Sequence, residues 1–121
     1  EELQIPVDVE DLYITDGASP AVKTAIELLI RDENDVILIP IPQYPLYSAT
    51  IARGGGNYVG YPLLEKYDGG ENANSCWQLD VEHLNFLVEQ AKSNGKRVRA
   101  IAVINPGNPT GNVLSKGEIE Q

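Results

Sequence analysis

With 121 residues, 42% of them hydrophobic, the chain can bury one globular core and is too apolar to be disordered. Acidic residues number 18 against 9 basic ones, and the resulting formal charge of −9 opposes the clustered Lys and Arg that nucleic-acid backbones require. The single cysteine, Cys76, excludes an internal disulfide, and no apolar run approaches the roughly 18 residues of a membrane span. Neither a nucleic-acid nor a membrane partner is therefore expected. A reducing, cytoplasmic setting is, with a mitochondrial or peroxisomal one left open because a removed leader would leave no trace.

Glu1 to Glu10 is polar, contains Pro6 and reads as a connecting segment. Asp11 to Thr15 (DLYIT) reads as a short strand. It runs into Asp16-Gly17-Ala18-Ser19-Pro20, where Ser19 suits an N-cap and Pro20 the first helical position. Val22, Ala25, Ile26, Leu29 and Ile30 then recur at helical spacing through Arg31. Val36 to Ile41 (VILIPI) is a continuous apolar run rich in β-branched residues, as expected of a strand covered on both faces, and Pro40 and Pro42 mark its end.

Pro45 to Arg53 can form a helix that Gly54 to Gly56 would stop, and Asn57 to Leu64 reads as another strand. Glu65 to Trp77, with Gly69-Gly70, reads as a polar loop that leaves Cys76 a bystander. Asp80 is a good N-cap for a helix to about Asn94, with Leu84, Leu87, Val88 and Ala91 on one face and Gly95 as its stop. Val98 to Ile104 is the next buried strand. It leads into Asn105-Pro106-Gly107-Asn108-Pro109-Thr110-Gly111, after which Ser115 and Glu118 have capping-box spacing.

Strands alternating with helices of these lengths imply an α/β fold: a three-layer α/β/α arrangement around a mainly parallel sheet. Ligands in such sheets collect at the carboxyl ends of the strands. Three turns fall there. The first offers Gly17 for a tight bend and Ser19 at a helix N-terminus, where free N–H groups and the helix dipole favour a phosphate, although capping alone would explain the same residues. The second holds Tyr44 between two prolines, restrained enough to stack on a flat cofactor, although packing is a tyrosine's commoner fate and Tyr47, Tyr58, Tyr61 and Tyr67 are assigned to it. The third packs two Asn-Pro steps and two glycines into one turn, more constraint than a plain connection needs.

His83, the only histidine, sits on a helix with a polar side, which argues against a histidine-based triad or metal cluster. Lys23, Lys66, Lys92, Lys96 and Lys116 all lie in polar or helical surface contexts, none of them the desolvated amine that carbonyl chemistry prefers.

DGASPAV at Asp16 to Val22, IPIPQYPLYSATI at Ile39 to Ile51, LDVEHL at Leu79 to Leu84 and VINPGNPTG at Val103 to Gly111 together resemble the alanine aminotransferase branch of the fold-type-I, class I/II pyridoxal-phosphate-dependent aminotransferases. The resemblance runs from about Asp11 to the end. It implies that residues 11–121 are part of the pyridoxal-5'-phosphate-binding large domain of a longer, homodimeric parent enzyme, truncated at both ends. That parent would move an amino group from alanine to 2-oxoglutarate, its partners being a small amino acid and a 2-oxo acid. Gly17, Ala18 and Ser19 would hold the cofactor phosphate. Tyr44 would stack on the pyridine ring, and Asn108 would touch the ring hydroxyl and lie near the substrate carboxylate. No catalytic residue is carried over, because the family's Schiff-base lysine, its pyridine-nitrogen aspartate and its carboxylate-clamping arginine all fall C-terminal to this chain. Resemblance and tight turns also predict a cis peptide before Pro42 or Pro109. A glutamate–glyoxylate aminotransferase shares the same motifs. From another class, a non-catalytic phosphate-binding or structural α/β fragment is the alternative, though it would leave Tyr44 and Asn108 to chance.

Overall fold

Every residue from Asp35 to Pro40 is buried, which makes β1 (Asp35–Ile41) the centre of the fold. The computed structural model describes residues 6–67 and 75–120. β1 is flanked by β2 (Asn57–Pro62) and β5 (Arg97–Ile101), both parallel to it, in the order β2-β1-β5. Parallel neighbours need crossover connections, and helices supply them on both faces.

Alternation along β1 distributes its side chains between two cores. Ile37 and Ile39 face α1 (Ala18–Leu29) and α2 (Leu46–Arg53), where they meet Ile26 and Ile51. Val36 and Leu38 point the other way and pack with Tyr61 against Leu84, Leu87 and Val88 of α3 (Val81–Ser93). The result is the expected α/β/α sandwich. Each fully buried branched side chain at its centre contributes about 1.5–3 kcal/mol.

α1 starts earlier than its sequence suggests. Gly17, at φ 88°, is the N-cap, so Ala18 is already helical, and Ser19 and Pro20 occupy the first turn. A proline is tolerated there because its missing N–H would have had no helical acceptor. α3 matches expectation: the Asp80 carboxylate accepts from the His83 N–H at 2.9 Å, and Gly95 turns the chain away at φ 73°. α4 (Lys116–Ile119) carries the expected capping box between Ser115 and Glu118, and the Ser115 N–H holds the Glu118 carboxyl below its ordinary pKa.

Several sequence expectations need correction. Residues 11–15 form no strand: a 3-10 turn at Val9–Asp11 is followed by extended but unpaired backbone, with Tyr13 and Ile14 almost wholly exposed, because among the described residues no strand lies beside it. The strand expected from Asn57 to Leu64 divides at Leu63. Beyond that point β3 (Leu64–Tyr67) pairs antiparallel with β4 (Ser75–Gln78), so both ends of the expected polar loop are strand; Gly69-Gly70 and the Cys76 side chain lie outside what is described. His83 is partly buried rather than on the open surface, its ring stacked 6.1 Å from Phe86.

β5 ends at Ile101 instead of reaching Ile104, and Pro40 is the reason. The Ala102 N–H donates to the Leu38 carbonyl at 2.8 Å. In a parallel ladder the Ala102 carbonyl would next accept from residue 40, but a proline has no N–H to give.

Candidate functional site at the carboxyl edge

The carboxyl ends of β1 and β5 and the N-terminus of α1 meet around an open concavity. Ala18, Ser19, Tyr44, Tyr47, Ile104 and Asn108 are among its lining residues. The structure thus brings Ala18, Ser19, Tyr44 and Asn108 together, with Gly17 one residue behind them as the helix N-cap. Tyr47, read from sequence as packing alone, does pack against the core but also lines the wall from the first turn of α2, and no local signal in the sequence marks it. The volume is about 210 Å³, below the roughly 300 Å³ at which small-molecule sites begin. This is the geometry of one wall of a pocket.

Each side chain is placed by a local device. At Gly17 the backbone reverses, with the Gly17 N–H donating to the Thr15 carbonyl at 2.9 Å and the Thr15 hydroxyl to the Gly17 carbonyl at 2.8 Å. No side chain caps the helix that follows, so the N–H groups of its first turn stay available to an anion. Tyr44 follows the cis Ile41–Pro42 peptide, lines the concavity and is 50% exposed. The turn beneath it is braced from Gln43 Nε2 to Ser48 Oγ at 3.0 Å and from Ser48 Oγ to the Pro45 carbonyl at 3.2 Å.

Asn108 sits on a turn that is locked to itself. Asn105 Oδ1 accepts from the Leu114 N–H at 3.0 Å while Asn105 Nδ2 donates to the Leu114 carbonyl at 3.3 Å, closing the loop at its base. Inside it the Gly107 N–H donates to the Asn112 carbonyl at 2.7 Å and the Gly111 N–H to the Gly107 carbonyl at 2.8 Å. A Cβ on Gly107 would collide with Asn112 Oδ1 and Thr110 Oγ1, which are hydrogen bonded to each other, so a larger residue would have to displace that pair. The Asn105–Pro106 and Asn108–Pro109 peptides are both cis, and Asn108 itself is exposed.

Of the lysines, none lines the concavity. Lys23 is exposed on α1 and Lys66 on β3; Lys92 pairs with Glu89 at 2.7 Å, Lys96 with the Glu33 carbonyl at 3.2 Å and Lys116 with Glu120 at 3.6 Å. Among the described residues no group of His, Cys, Asp or Glu could hold a metal ion, and no helix is long and apolar enough to cross a membrane.

Sequence reasoning missed the strongest electrostatic feature, at the opposite edge. Asp35, wholly buried at the start of β1, accepts from Arg97 Nε at 2.8 Å, from the Arg31 backbone N–H at 2.8 Å and from Arg31 Nε at 3.2 Å. Arg97 also grips Asp32 at 2.6 Å. These bonds, Arg97 first, hold the Asp35 carboxyl well below the usual carboxylate range and raise the Arg97 guanidinium in turn. The four-residue step from Arg31 to Asp35 is visible in sequence; Arg97, far along the chain, is not.

The chain is similar to known proteins in sequence and in fold. The family profile described as aminotransferase class I and II matches residues 1–121. Alanine aminotransferase 1, mitochondrial, of Arabidopsis thaliana is 53% identical over 92% of the chain, and glutamate–glyoxylate aminotransferase 2 of the same plant is 49% identical over 96%. Those alignments cover 19% and 22% of the two relatives, so the chain spans about a fifth of their length. The crystal structure of cystalysin from Treponema denticola, which contains a pyridoxal 5'-phosphate cofactor, superposes with a TM-score of 0.68 and 27% identity, over 88% of this chain and 24% of that one. With a profile that takes in the whole sequence and strand-end turns in the matching fold, the chain belongs to the class I and II aminotransferases.

Proposed function

We propose that this chain is an internal part, residues 11–121, of the large domain of a homodimeric aminotransferase that uses pyridoxal 5'-phosphate to move an amino group from alanine to 2-oxoglutarate. The observation that carries the reading is the meeting of Ser19, Tyr44 and Asn108 around one concavity, in a chain about half identical to proteins named alanine aminotransferase. The donor set suits the cofactor: an uncapped helix start for a dianionic phosphate, a half-exposed tyrosine for a flat heterocycle and an amide for a ring oxygen.

Gly17, Ala18 and Ser19 would bind the phosphate through backbone N–H groups and the Ser19 hydroxyl. Tyr44 would cover one face of the pyridine ring and keep water from it. Asn108 would donate to the ring hydroxyl and orient the substrate carboxylate beside it. When bound, the cofactor supplies the electron sink for charge developing on the substrate α-carbon. Moving that proton needs an amine within reach, and Lys23, Lys66, Lys92, Lys96 and Lys116 all lie away from the concavity. The lysine would come from outside this chain, so the chain alone is expected to give no turnover.

The test is a coupled assay of the full-length protein with alanine and 2-oxoglutarate, set against glutamate and glyoxylate. Faster turnover of the second pair would favour glutamate–glyoxylate aminotransferase, the reading supported by the relative of that name. Turnover of neither pair, with no binding of pyridoxal phosphate, would leave the non-catalytic alternative. A cytoplasmic setting belongs to the same proposal, with the mitochondrion, where several relatives are named as residing, as its rival; imaging of the tagged full-length protein separates them.

A further inference from the structure

The Ala102 carbonyl has lost its ladder partner to Pro40, yet it is not left bare. Tyr61, the residue paired with Pro40 on β2, sends its side chain across β1, and its hydroxyl donates to the Ala102 carbonyl at 2.7 Å. Tyr61 is 3% exposed and packs with Val36 and Leu38, an environment that phenylalanine would fill equally well. A buried phenol is costly without a hydrogen bond, so the hydroxyl's use here is that bond.

Ala102 is also where the site's third turn leaves the sheet. Its N–H is held by Leu38 and its carbonyl by Tyr61, so the residue that follows β5 is held through the peptide on either side of it. Beyond it the turn is braced internally by the Asn105–Leu114 and Gly107–Asn112 bonds. The placement of a turn so braced depends on where it is anchored. Tyr61, Pro42 and Asn108 line one narrow apolar pocket of about 20 Å³, while Asn108 and Ile104 also line the concavity on its other side.

We infer that Tyr61 is a positioning residue for Asn108: its hydroxyl replaces the N–H that Pro40 cannot offer and fixes the Ala102 peptide from which the Asn108 turn springs. This rests on the reading of Asn108 as a cofactor contact. The experiment is titration of the full-length apoprotein with pyridoxal phosphate, followed by cofactor absorbance, for Tyr61→Phe, Asn108→Ala and the double variant, with Tm measured for each. Tyr61→Phe is expected to raise Kd by roughly two- to tenfold, the worth of one neutral hydrogen bond. In the Asn108→Ala background that effect should vanish, because the lost bond then has nothing to position. Adding Pro40→Ala to Tyr61→Phe returns an N–H to the same carbonyl and should recover affinity.

A lower Tm with unchanged Kd in Tyr61→Phe would overturn the inference and make the bond purely structural. So would a Tyr61→Phe effect of equal size with and without Asn108, or no recovery on restoring the N–H at position 40. If Asn108→Ala itself binds pyridoxal phosphate as tightly as the unaltered protein, the site reading falls and the inference with it; an Asn108 effect without a Tyr61 effect sinks the inference alone.

Discussion

The two edges of the sheet use polar groups in opposite ways. At the amino edge Asp35 is wholly buried with its oxygens saturated by Arg31 and Arg97, and Arg97 is shared with Asp32. The Asp35 carboxylate is left with no free oxygen to offer a ligand. At the carboxyl edge Tyr44 and Asn108 are exposed, and the start of α1 has no side-chain cap. The contrast separates polar groups that hold the fold from those held ready for something else: the first are paired within the chain, the second are positioned but uncommitted.

That contrast is open to attack at each edge. The largest expected effect is on stability at the amino edge: Asp35→Ala in the full-length protein strands Arg31 and Arg97 and should lower Tm more than any site substitution named here, while the folded fraction keeps its affinity for pyridoxal phosphate. Asp35 should also contribute most to the acid limb, with Asp32 and Glu118 shifted in the same direction. The folded pKa of Asp35 lies below its unfolded one, so its contribution is complete above about pH 4 and drains away as pH falls further. Urea unfolding from pH 7 to pH 3 should steepen below that point, and Asp35→Asn should flatten the acid limb. A steep limb in Asp35→Asn would shift the cause elsewhere.

Effects at the carboxyl edge should be smaller and confined to binding. Ser19→Ala removes the hydroxyl proposed to meet the cofactor phosphate and should weaken pyridoxal phosphate binding by roughly ten- to a hundredfold, with Tm nearly unchanged. Tyr44→Ala removes the proposed stacking face and should cost roughly two- to tenfold, read in the same cofactor titration. A site variant that unfolds the protein as readily as Asp35→Ala would erase the distinction between the edges.

What sequence could reveal follows from the range of the interactions. β1, α2 and α3 were legible because their signals are local: an apolar run, a glycine stop, an aspartate cap. Ser19, Tyr44 and Asn108 stood out because strand-end turns of unusual composition are also local, and the family's motifs lie on them. Residues 11–15 misled because a strand needs a neighbour, which no run of side chains declares. The β3–β4 pairing was hidden by the glycine- and asparagine-rich stretch between the two strands. Arg97 on Asp35 and Tyr61 on Ala102 link residues 62 and 41 positions apart, and only the folded chain makes them neighbours.

The three-stranded parallel sheet has one further consequence. Among the described residues β2 and β5 each have a partner on one side only, so each presents a row of free backbone donors and acceptors along its outer margin. Arg97 and Arg99 lend β5 some charge against wrongful pairing, but Ile101 and Val103 extend that margin with exposed apolar surface. Produced by itself, the chain would be adhesive, stacking margin to margin into soluble oligomers or precipitate. Solubility, rather than folding, would then limit its yield.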